Sequence, residues 1–457
     1  MDKNILNIIK EHQTIRKGEK EKNGEVFTPI ELINENLDKL PLSVWKNPDL
    51  KWLDPANGIG NFPIVAYYKL MEGLKNVHHY KDENKRSKHI IEEMLFMIEI
   101  NNDNVEVCKQ IFKTINANAN PNIICADFLK DEDEWKNELM NKKNIESFDI
   151  IIGNPPYNSD GIKHKGKKNI YVFFVTKGLA ILKKDGYMSY IHPPTYRIPN
   201  HKIQHTKTNL NKIYTSKKIL CIKMFSIVKT KKMMNVMINV DYIIIQNTEN
   251  DEKYETKIID VNEKEYNRII LPNTFIPNYG LTILNKLENN AKLNTHLNIV
   301  LTSEMHAQII KNGDEYKNIR NIHGIKKKGI KICFSSLPHS LQNKRKLIIN
   351  GIGSYNYVFY DERGEYGFTQ SPVAIIEPSS NTLKLIQSKL FHYIADATKI
   401  IGNNFNIQTS LFLPVIDEKK IKINNQLELY QYFNFSNEEI EEIEQYSIPQ
   451  YNINEIV

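Results

Sequence analysis

From Phe148 to Ile152 the chain is apolar except for Asp149, and it then stops at Gly153-Asn154-Pro155-Pro156-Tyr157. Such a run is too short for a helix. It predicts a buried strand of a parallel sheet that ends abruptly at its carboxyl end. Similar short apolar runs end in Asp54 (Lys51-Trp52-Leu53-Asp54), near Glu99 (Met94 to Ile100) and near Asp127 (Asn122 to Phe128). Apolar residues at helical spacing follow two of these strands, from about Phe62 to Leu74 and from Ile170 to Lys184. A fifth strand is expected up to His192 after the turn at Asp185-Gly186. A closing pair, Lys217 to Phe225 and Met233 to Ile245, is expected around a basic turn with Lys229, Lys231 and Lys232. Strands interleaved with helices predict an α/β domain of doubly wound type. Beyond Thr248 the pattern changes to short β-like runs (Lys346 to Asn350, Tyr355 to Tyr360, Pro372 to Glu377) and one helical stretch, Thr382 to Ile394. The expected division is a helix and arm over 1–23, an α/β domain over 24–247 and a separate α+β domain over 248–457.

Bulk composition narrows the class without deciding it. The 457 residues suffice for two or three domains, and 41% hydrophobic with 25% charged residues is ordinary for a globular protein. The best apolar run, Met233 to Ile245, is broken by Asn235, Asn239 and Asp241, so no membrane span or membrane partner is expected. Four dispersed cysteines without a C-x-x-C pair, and an N-terminus without a signal pattern, point to a cytoplasmic protein with no disulfide framework and no structural zinc. A net charge of +7 leans towards a polyanionic partner only weakly, because Lys and Asn are abundant throughout.

The chemistry is concentrated where the strands end. Ligands of open α/β sheets bind at the carboxyl ends of strands. An Asn carbonyl accepts a hydrogen bond without carrying charge, two prolines hold the preceding carbonyls stiffly, and a tyrosine offers a face for stacking. Asn154, Pro155, Pro156 and Tyr157 therefore suit the grip of a planar amino group conjugated to a ring or an amide. This stretch resembles the N-P-P-Y motif of S-adenosylmethionine-dependent amino-methyltransferases, above all the DNA adenine-N6 enzymes.

Upstream residues extend the resemblance. Gly24-Glu25-Val26-Phe27-Thr28-Pro29 precedes a helix, with Thr28 read as N-cap, Pro29 as first helical residue and Glu31 completing a capping box. The same run resembles the G-E-x-[FY]-T-P segment that lies over the methionine part of the cofactor in the N-terminally extended class, which would place Phe27, Thr28 and Pro29 there. Asp54-Pro55-Ala56-Asn57-Gly58-Ile59-Gly60-Asn61-Phe62 is similar to the D-P-[AS]-C-G-x-G-x-F cofactor loop, with Asn57 in place of the usual Cys and Asn61 able to cap the helix behind it. The resemblance implies that Glu99 accepts the ribose hydroxyls, with Asp103 competing for that assignment. It also implies that Asp127 accepts the cofactor's adenine amino group and that Phe128 lies on the adenine face.

Taken together the resemblance is to the γ class of DNA adenine methyltransferases of restriction-modification type. It implies a Rossmann-like class I methyltransferase sheet, S-adenosyl-L-methionine as cofactor, no metal, and a C-terminal target-recognition domain. The target adenine would be flipped out of duplex DNA, with Asn154 and the Pro155 carbonyl accepting the two N6 hydrogens. Tyr157 would stack on one face, and Phe225 is the candidate for the other, with a core aromatic as the competing reading. Lys163 and Lys165, in the Gly- and Lys-rich run after the motif, would meet phosphates. So would Lys326, Lys327, Lys328, Lys344, Arg345 and Lys346, although the aromatics beside them equally fit strand core. A separate cognate restriction endonuclease is a possible partner. RNA or protein-glutamine methyltransferases also use N-P-P-Y, and a non-catalytic DNA-binding or restriction-blocking protein is the remaining alternative.

Overall fold

The computed structural model describes residues 3–15, 27–158, 169–199, 208–294, 296–301, 309–310, 319–326, 329–335, 338–350, 358–369, 372–400 and 407–446. Lys163, Lys165, Lys327 and Lys328 lie outside them, as do Tyr355 and Tyr357. The chain divides into two compact units, one ending at Ile276 and the other beginning at Pro277.

The first unit is built on a nine-stranded sheet: β1 (Trp52–Asp54), β2 (Leu95–Glu99), β3 (Asn122–Cys125), β4 (Phe148–Gly153), β5 (Leu182–His192), β6 (Lys217–Phe225), β7 (Val240–Glu249), β8 (Glu255–Ile259) and β9 (Glu265–Ile269), in the order β3-β2-β1-β4-β5-β7-β6-β8-β9. β1 pairs parallel to both β2 and β4, whereas β7 runs antiparallel between β5 and β6. The chain moves outward from β1 through β2 to β3, then returns to place β4 on the other side of β1. That reversal makes a topological switch point, where a crevice opens at the carboxyl ends of β1 and β4.

β1, β2 and β4 are near-continuous apolar runs because both sheet faces are covered there. In the helix Asn102–Ile115, Val105, Cys108, Ile111 and Phe112 face the sheet at helical spacing. The helix Tyr171–Ile181 approaches the sheet closely at Gly178, where a side chain would collide with the Met188 methyl at 2.8 Å. The one acid of β4, Asp149, accepts from the Lys51 backbone N–H and the Lys183 ammonium, each at 2.8 Å. Its charge is therefore held at the start of the strand, away from the site.

Several local readings change. β8 and β9 continue the first sheet beyond Thr248, because β8 pairs with β6, and the first unit extends to Ile276 accordingly. The expected basic turn after Phe225 is a helix, Ile227–Met234, capped by Ser226. The single helix expected over Thr382 to Ile394 is two, Ser380–Ile386 and Lys389–Ala397, because Ser388 starts a new helix by accepting from the Phe391 N–H. Among the described residues no helix is long and apolar enough to cross a membrane.

The second unit holds two four-stranded sheets and a set of short helices. In one sheet Lys346–Ile349 pairs antiparallel with both Val358–Asp361 and Val373–Ile376. In the other, Arg320–Lys326 pairs with Gly329–Ser335 and with Gly367–Phe368. Ile322, Ile325 and Phe368 from the second sheet pack with Ile348, Phe359 and Ala374 from the first, so Phe359 is strand core.

Lys346 corrects an expectation. It was a phosphate-contact candidate, but its side chain is fully buried and its ammonium lies 2.7 Å from Asp361, which also accepts from the Glu365 and Tyr366 N–H groups. Burial pushes the Lys346 ammonium below its usual range, and Asp361 opposes the shift. A charge compensated inside the fold has nothing left for DNA. Breaking such a pair from one side leaves the partner uncompensated, so Lys346→Met is expected to cost about 3–5 kcal/mol of stability. Adding Asp361→Leu should recover part of that loss. Denaturant titration of the two variants against the parent checks both, and a Lys346→Met protein of parental stability would contradict the role.

Candidate active site

Most of the residues singled out by sequence in the first unit lie at the ends of β1, β2, β3 and β4 or in the loops beyond them. After β1 the chain turns through Asn57 and Gly58 to Gly60, with the Asn57 N–H donating to the Ile98 carbonyl at the end of β2 (3.0 Å). Gly58 has φ +56° and open space where a side chain would stand. Gly60 has φ +96°, and a Cβ there would meet the Cys108 sulfur at 2.8 Å. The two glycines thus serve different ends: one leaves room above the loop, and the other lets the loop sit on the helix Asn102–Ile115. Asn57, standing where the resembled motif carries Cys, is buried and donates to Gly58 O (3.0 Å) and to Cys108 Sγ (3.4 Å).

Glu99 sits at the end of β2, buried, and its Oε2 accepts from the Gly58 N–H at 2.7 Å. Its Oε1 accepts from the Asn101 N–H (2.9 Å) and the Asn104 amide (3.3 Å). Asp103 is an exposed residue in the first turn of the following helix. Of the two acids, Glu99 is the one facing the glycine loop. Asp54 is fully buried, accepts from the Ala56 N–H at 3.1 Å and is pushed up to about 8 by burial, with Glu99 adding to the shift.

The other half of the crevice is the N-P-P-Y turn. Gly153, at φ +146°, lies so close to β1 that a Cβ would meet Asp54 Oδ1 at 2.8 Å. Asn154 follows, and its amide nitrogen donates to the Thr28 hydroxyl at 3.0 Å. Its Oδ1 is buried and has no hydrogen-bond partner among the described residues. Tyr157 is buried beside Asn154, with its ring edge-on to Tyr171 at 6.5 Å.

Thr28 therefore does not cap the next helix. Pro29 occupies the cap position of Ile30–Leu37 with no side-chain cap, and no capping box forms with Glu31. The Thr28 hydroxyl meets Asn154 instead, and the Thr28 carbonyl accepts from the Asn61 amide at 3.1 Å. Asn61 in turn is the first residue of its helix, after Gly60 as cap, and its side chain is spent on Thr28. Phe27 and Pro29 are half-buried beside it, while Pro55 and Phe62 are buried.

Two aromatic assignments change. Phe128 is 2% exposed, stacked on Phe174 at 5.4 Å and tilted against Trp135 at 5.2 Å, so its ring belongs to the core and is not a face for adenine. Phe225 is 1% exposed, with the Lys223 and Lys229 ammoniums 5.5 and 5.3 Å from its ring centre. That ring too is a packing group. Asp127 keeps its place beyond β3. Burial acts to raise its carboxyl, but the Lys130 ammonium (2.8 Å) and the Leu129 N–H (2.9 Å) hold it below the usual carboxylate range. Of the basic candidates in the second unit, Lys344 and Arg345 are exposed, Arg345 being paired with Glu377 at 3.2 Å.

Sequence reasoning missed the support behind Tyr157. The Tyr171 hydroxyl lies 2.6 Å from the Thr195 hydroxyl, and its ring stacks on His192 at 5.3 Å. His192, held down to about 4 by burial, meets the Tyr214 hydroxyl through Nε2 at 2.8 Å. Behind these rings Arg197 and Asp241 form a fully buried pair at 3.0 Å. No local motif announces this cluster. The His192-Pro193-Pro194 strand end is its only visible trace in the sequence.

The chain is similar to known proteins over part of its length. Residues 78–229 match the family model described as Eco57I restriction-modification methylase. An uncharacterized adenine-specific methylase of Mycoplasma pneumoniae is 28% identical, the match covering 40% of this chain and 57% of the relative. Modification methylase CviBIII of Paramecium bursaria Chlorella virus NC1A is also 28% identical, over 40% of this chain and 41% of the relative. The chain thus spans about half the length of the curated relatives it matches. Among solved structures, a nuclease-deletion mutant of the Type ISP restriction-modification enzyme LlaGI, in complex with a DNA substrate mimic, superposes with a TM-score of 0.51. That match covers 84% of this chain and 45% of the other at 11% identity, a likeness of fold alone. The segment 78–229, which carries the N-P-P-Y strand end, is similar to the restriction-modification methylases that the Eco57I family model describes.

Proposed function

We propose that this chain is an S-adenosylmethionine-dependent DNA methyltransferase that methylates N6 of an adenine flipped out of the duplex. The observation that carries the reading is Asn154. Its amide nitrogen is held by Thr28 while its buried oxygen keeps its acceptor capacity, at the strand end beside the glycine loop.

The residues present fit the cofactor. Gly58 leaves open space above the loop, and Glu99 presents a buried carboxylate beside it. Glu99 would hold the ribose hydroxyls and Asp127 the adenine amino group, with Thr28 and the loop from Asp54 to Gly60 around the rest. When bound, the cofactor supplies a methyl group activated by a positive sulfonium. Asn154 Oδ1 and the Pro155 carbonyl accept the two N6 hydrogens of the target adenine. An amide and a peptide carbonyl are too weakly basic to remove a proton from that amine, so their work is to orient it and favour its pyramidal form. The buried Asn154 also stabilises the positive charge that develops on the nitrogen. The second unit would read the target sequence, with exposed Lys344 among its phosphate contacts.

Three outcomes test this reading. Asn154→Ala should lower methyl transfer by roughly 10²–10³ while leaving cofactor affinity intact, the scale of one lost electrostatic stabiliser. Thr28→Val, which only frees the Asn154 amide, should cost roughly tenfold. Digestion of the DNA product to nucleosides should yield N6-methyladenine, and N4-methylcytosine in its place would overturn the base assignment.

A further outcome concerns pH. Asp54 is protonated below about 8 in the free protein. The titratable groups that bear on it are Glu99, Cys108 and Tyr190, and the last two ionise only well above that range. A cationic ligand favours the carboxylate, so below that pH binding must expel a proton. Cofactor affinity should therefore rise with pH up to about 8 in the parent and stay flat in Asp54→Asn, as calorimetry in buffers of different ionisation enthalpy will show. Another outcome separates two neighbouring lysines. Lys344→Ala should reduce the slope of log affinity against log salt by about 0.9. Lys346→Ala should act through stability, and equal salt effects from both would remove the distinction.

A further inference from the structure

The connection between β6 and β7 has an unusual surface. Among the described residues, Val228 is 80% exposed and Met237 69%, and Ile227 and Ile238 beside them are also exposed. Lys231 and Lys232 are exposed on the same connection, and the sequence from Ser226 to Asn239 has no acidic residue. Exposed apolar groups in a cluster mark a contact surface, and the fixed positive charge around them selects a polyanion.

The segment is built as a rigid element. Ser226 caps the helix Ile227–Met234, and Asn235 ends it in the left-handed conformation at φ 57°. The Asn239 side chain accepts from the Ile227 N–H at 3.0 Å, closing the connection on itself. Inside it, the fully buried Thr230 hydroxyl lies 2.7 Å from the Ile238 carbonyl, with the Val236 and Ile227 carbonyls at 3.1 Å. Lys229 is tied to Glu263 and contributes to the frame. Val228 and Met237 are thus held outward by a fixed scaffold.

Its location follows from the strand register. β4 and β5 run parallel with Gly153 opposite Tyr190, His192 of β5 is opposite Asp241 of β7, and Phe225 of β6 is opposite Val240. The connection therefore emerges on the same sheet edge as Asn154. With β5 and β7 between β4 and β6, the separation is three strand spacings, roughly 14 Å.

We propose that residues 226–239 form a wedge for duplex DNA: Val228 and Met237 press into the base stack beside the everted adenine, and Lys231 and Lys232 hold the flanking phosphates. This inference rests on the reading given above and names the element that helps to open the duplex. Apolar side chains pushed between base steps offset part of the unstacking cost, and that cost is smallest for a base that is already unpaired.

The test compares two DNA substrates, one fully paired at the target and one with the target adenine opposite an abasic site. For Val228→Ala/Met237→Ala, kcat/KM on paired DNA should fall roughly tenfold or more, and on the abasic substrate the loss should be largely absent. Both side chains are exposed, so cofactor affinity and Tm should match the parent. Lys231→Ala/Lys232→Ala should lower the salt slope of DNA binding by roughly 1.8, the sum for two phosphate contacts, without changing cofactor affinity. Equal losses on the two substrates, no loss on either, or an unchanged salt slope would overturn the wedge. A parent protein that binds cofactor but transfers no methyl group to adenine would overturn the earlier reading instead, so the two failures are distinguishable.

Discussion

The close approach of Gly153 to Asp54 is the constraint on which the site depends. β1 and β4 are neighbours at the point where the chain reverses direction across the sheet, and their ends carry the glycine loop and the N-P-P-Y turn respectively. A side chain at 153 would stand 2.8 Å from the Asp54 carboxyl, so only glycine lets the strand ends close together. Closing them brings Asn154 within reach of Thr28, and Thr28 within reach of Asn61. One small residue thus sets the distance between the group expected to hold the cofactor and the group expected to hold its target.

The strands that carry this arrangement were legible because they combine two strong local signals. A buried parallel strand is an uninterrupted apolar run, and Gly153, Pro155 and Pro156 stop it sharply. Trp52 to Asp54, stopped by Pro55, and Leu95 to Glu99 are further short apolar runs. What could not be read was whether a side chain serves its own neighbours or distant ones. Thr28 followed by Pro29 and Glu31 satisfies every local rule for a helix cap, yet its hydroxyl is used 126 residues away by Asn154. Asn61 likewise looks like a cap and is a tether. In both cases a tertiary hydrogen bond replaces the local one, and local pattern carries no information about it.

Aromatic and basic residues were the least legible class for a related reason. Phe128 and Phe225 follow motif positions at strand ends, where either a ligand face or a core ring is chemically reasonable. Packing decided both: Phe174 and Trp135 cover one ring, and two lysines and Tyr242 surround the other. Lys344, Arg345 and Lys346 form one basic run in sequence. Lys344 and Arg345 precede the strand and are exposed, whereas Lys346 is its first residue, buried like the rest of the strand, and turns inward to Asp361. A basic run that leads into a buried strand is therefore not a charge patch along its whole length.

The electrostatics of the crevice also give a reason for an amide at position 154. Asp54, at the neighbouring strand end, shows what burial does to a carboxyl there, holding it in the protonated form up to about 8. A protonated acid at 154 would donate a hydrogen bond as readily as accept one, and it would compete with the hydrogens of a bound amine. The Asn154 carbonyl is an acceptor at every pH, and the Thr28 hydroxyl occupies its amide nitrogen so that the buried oxygen is the end left to accept. Neutral acceptors also leave the amine's lone pair unopposed by a bound proton. The same burial that makes a charged side chain costly at this strand end makes each neutral hydrogen bond formed there stronger.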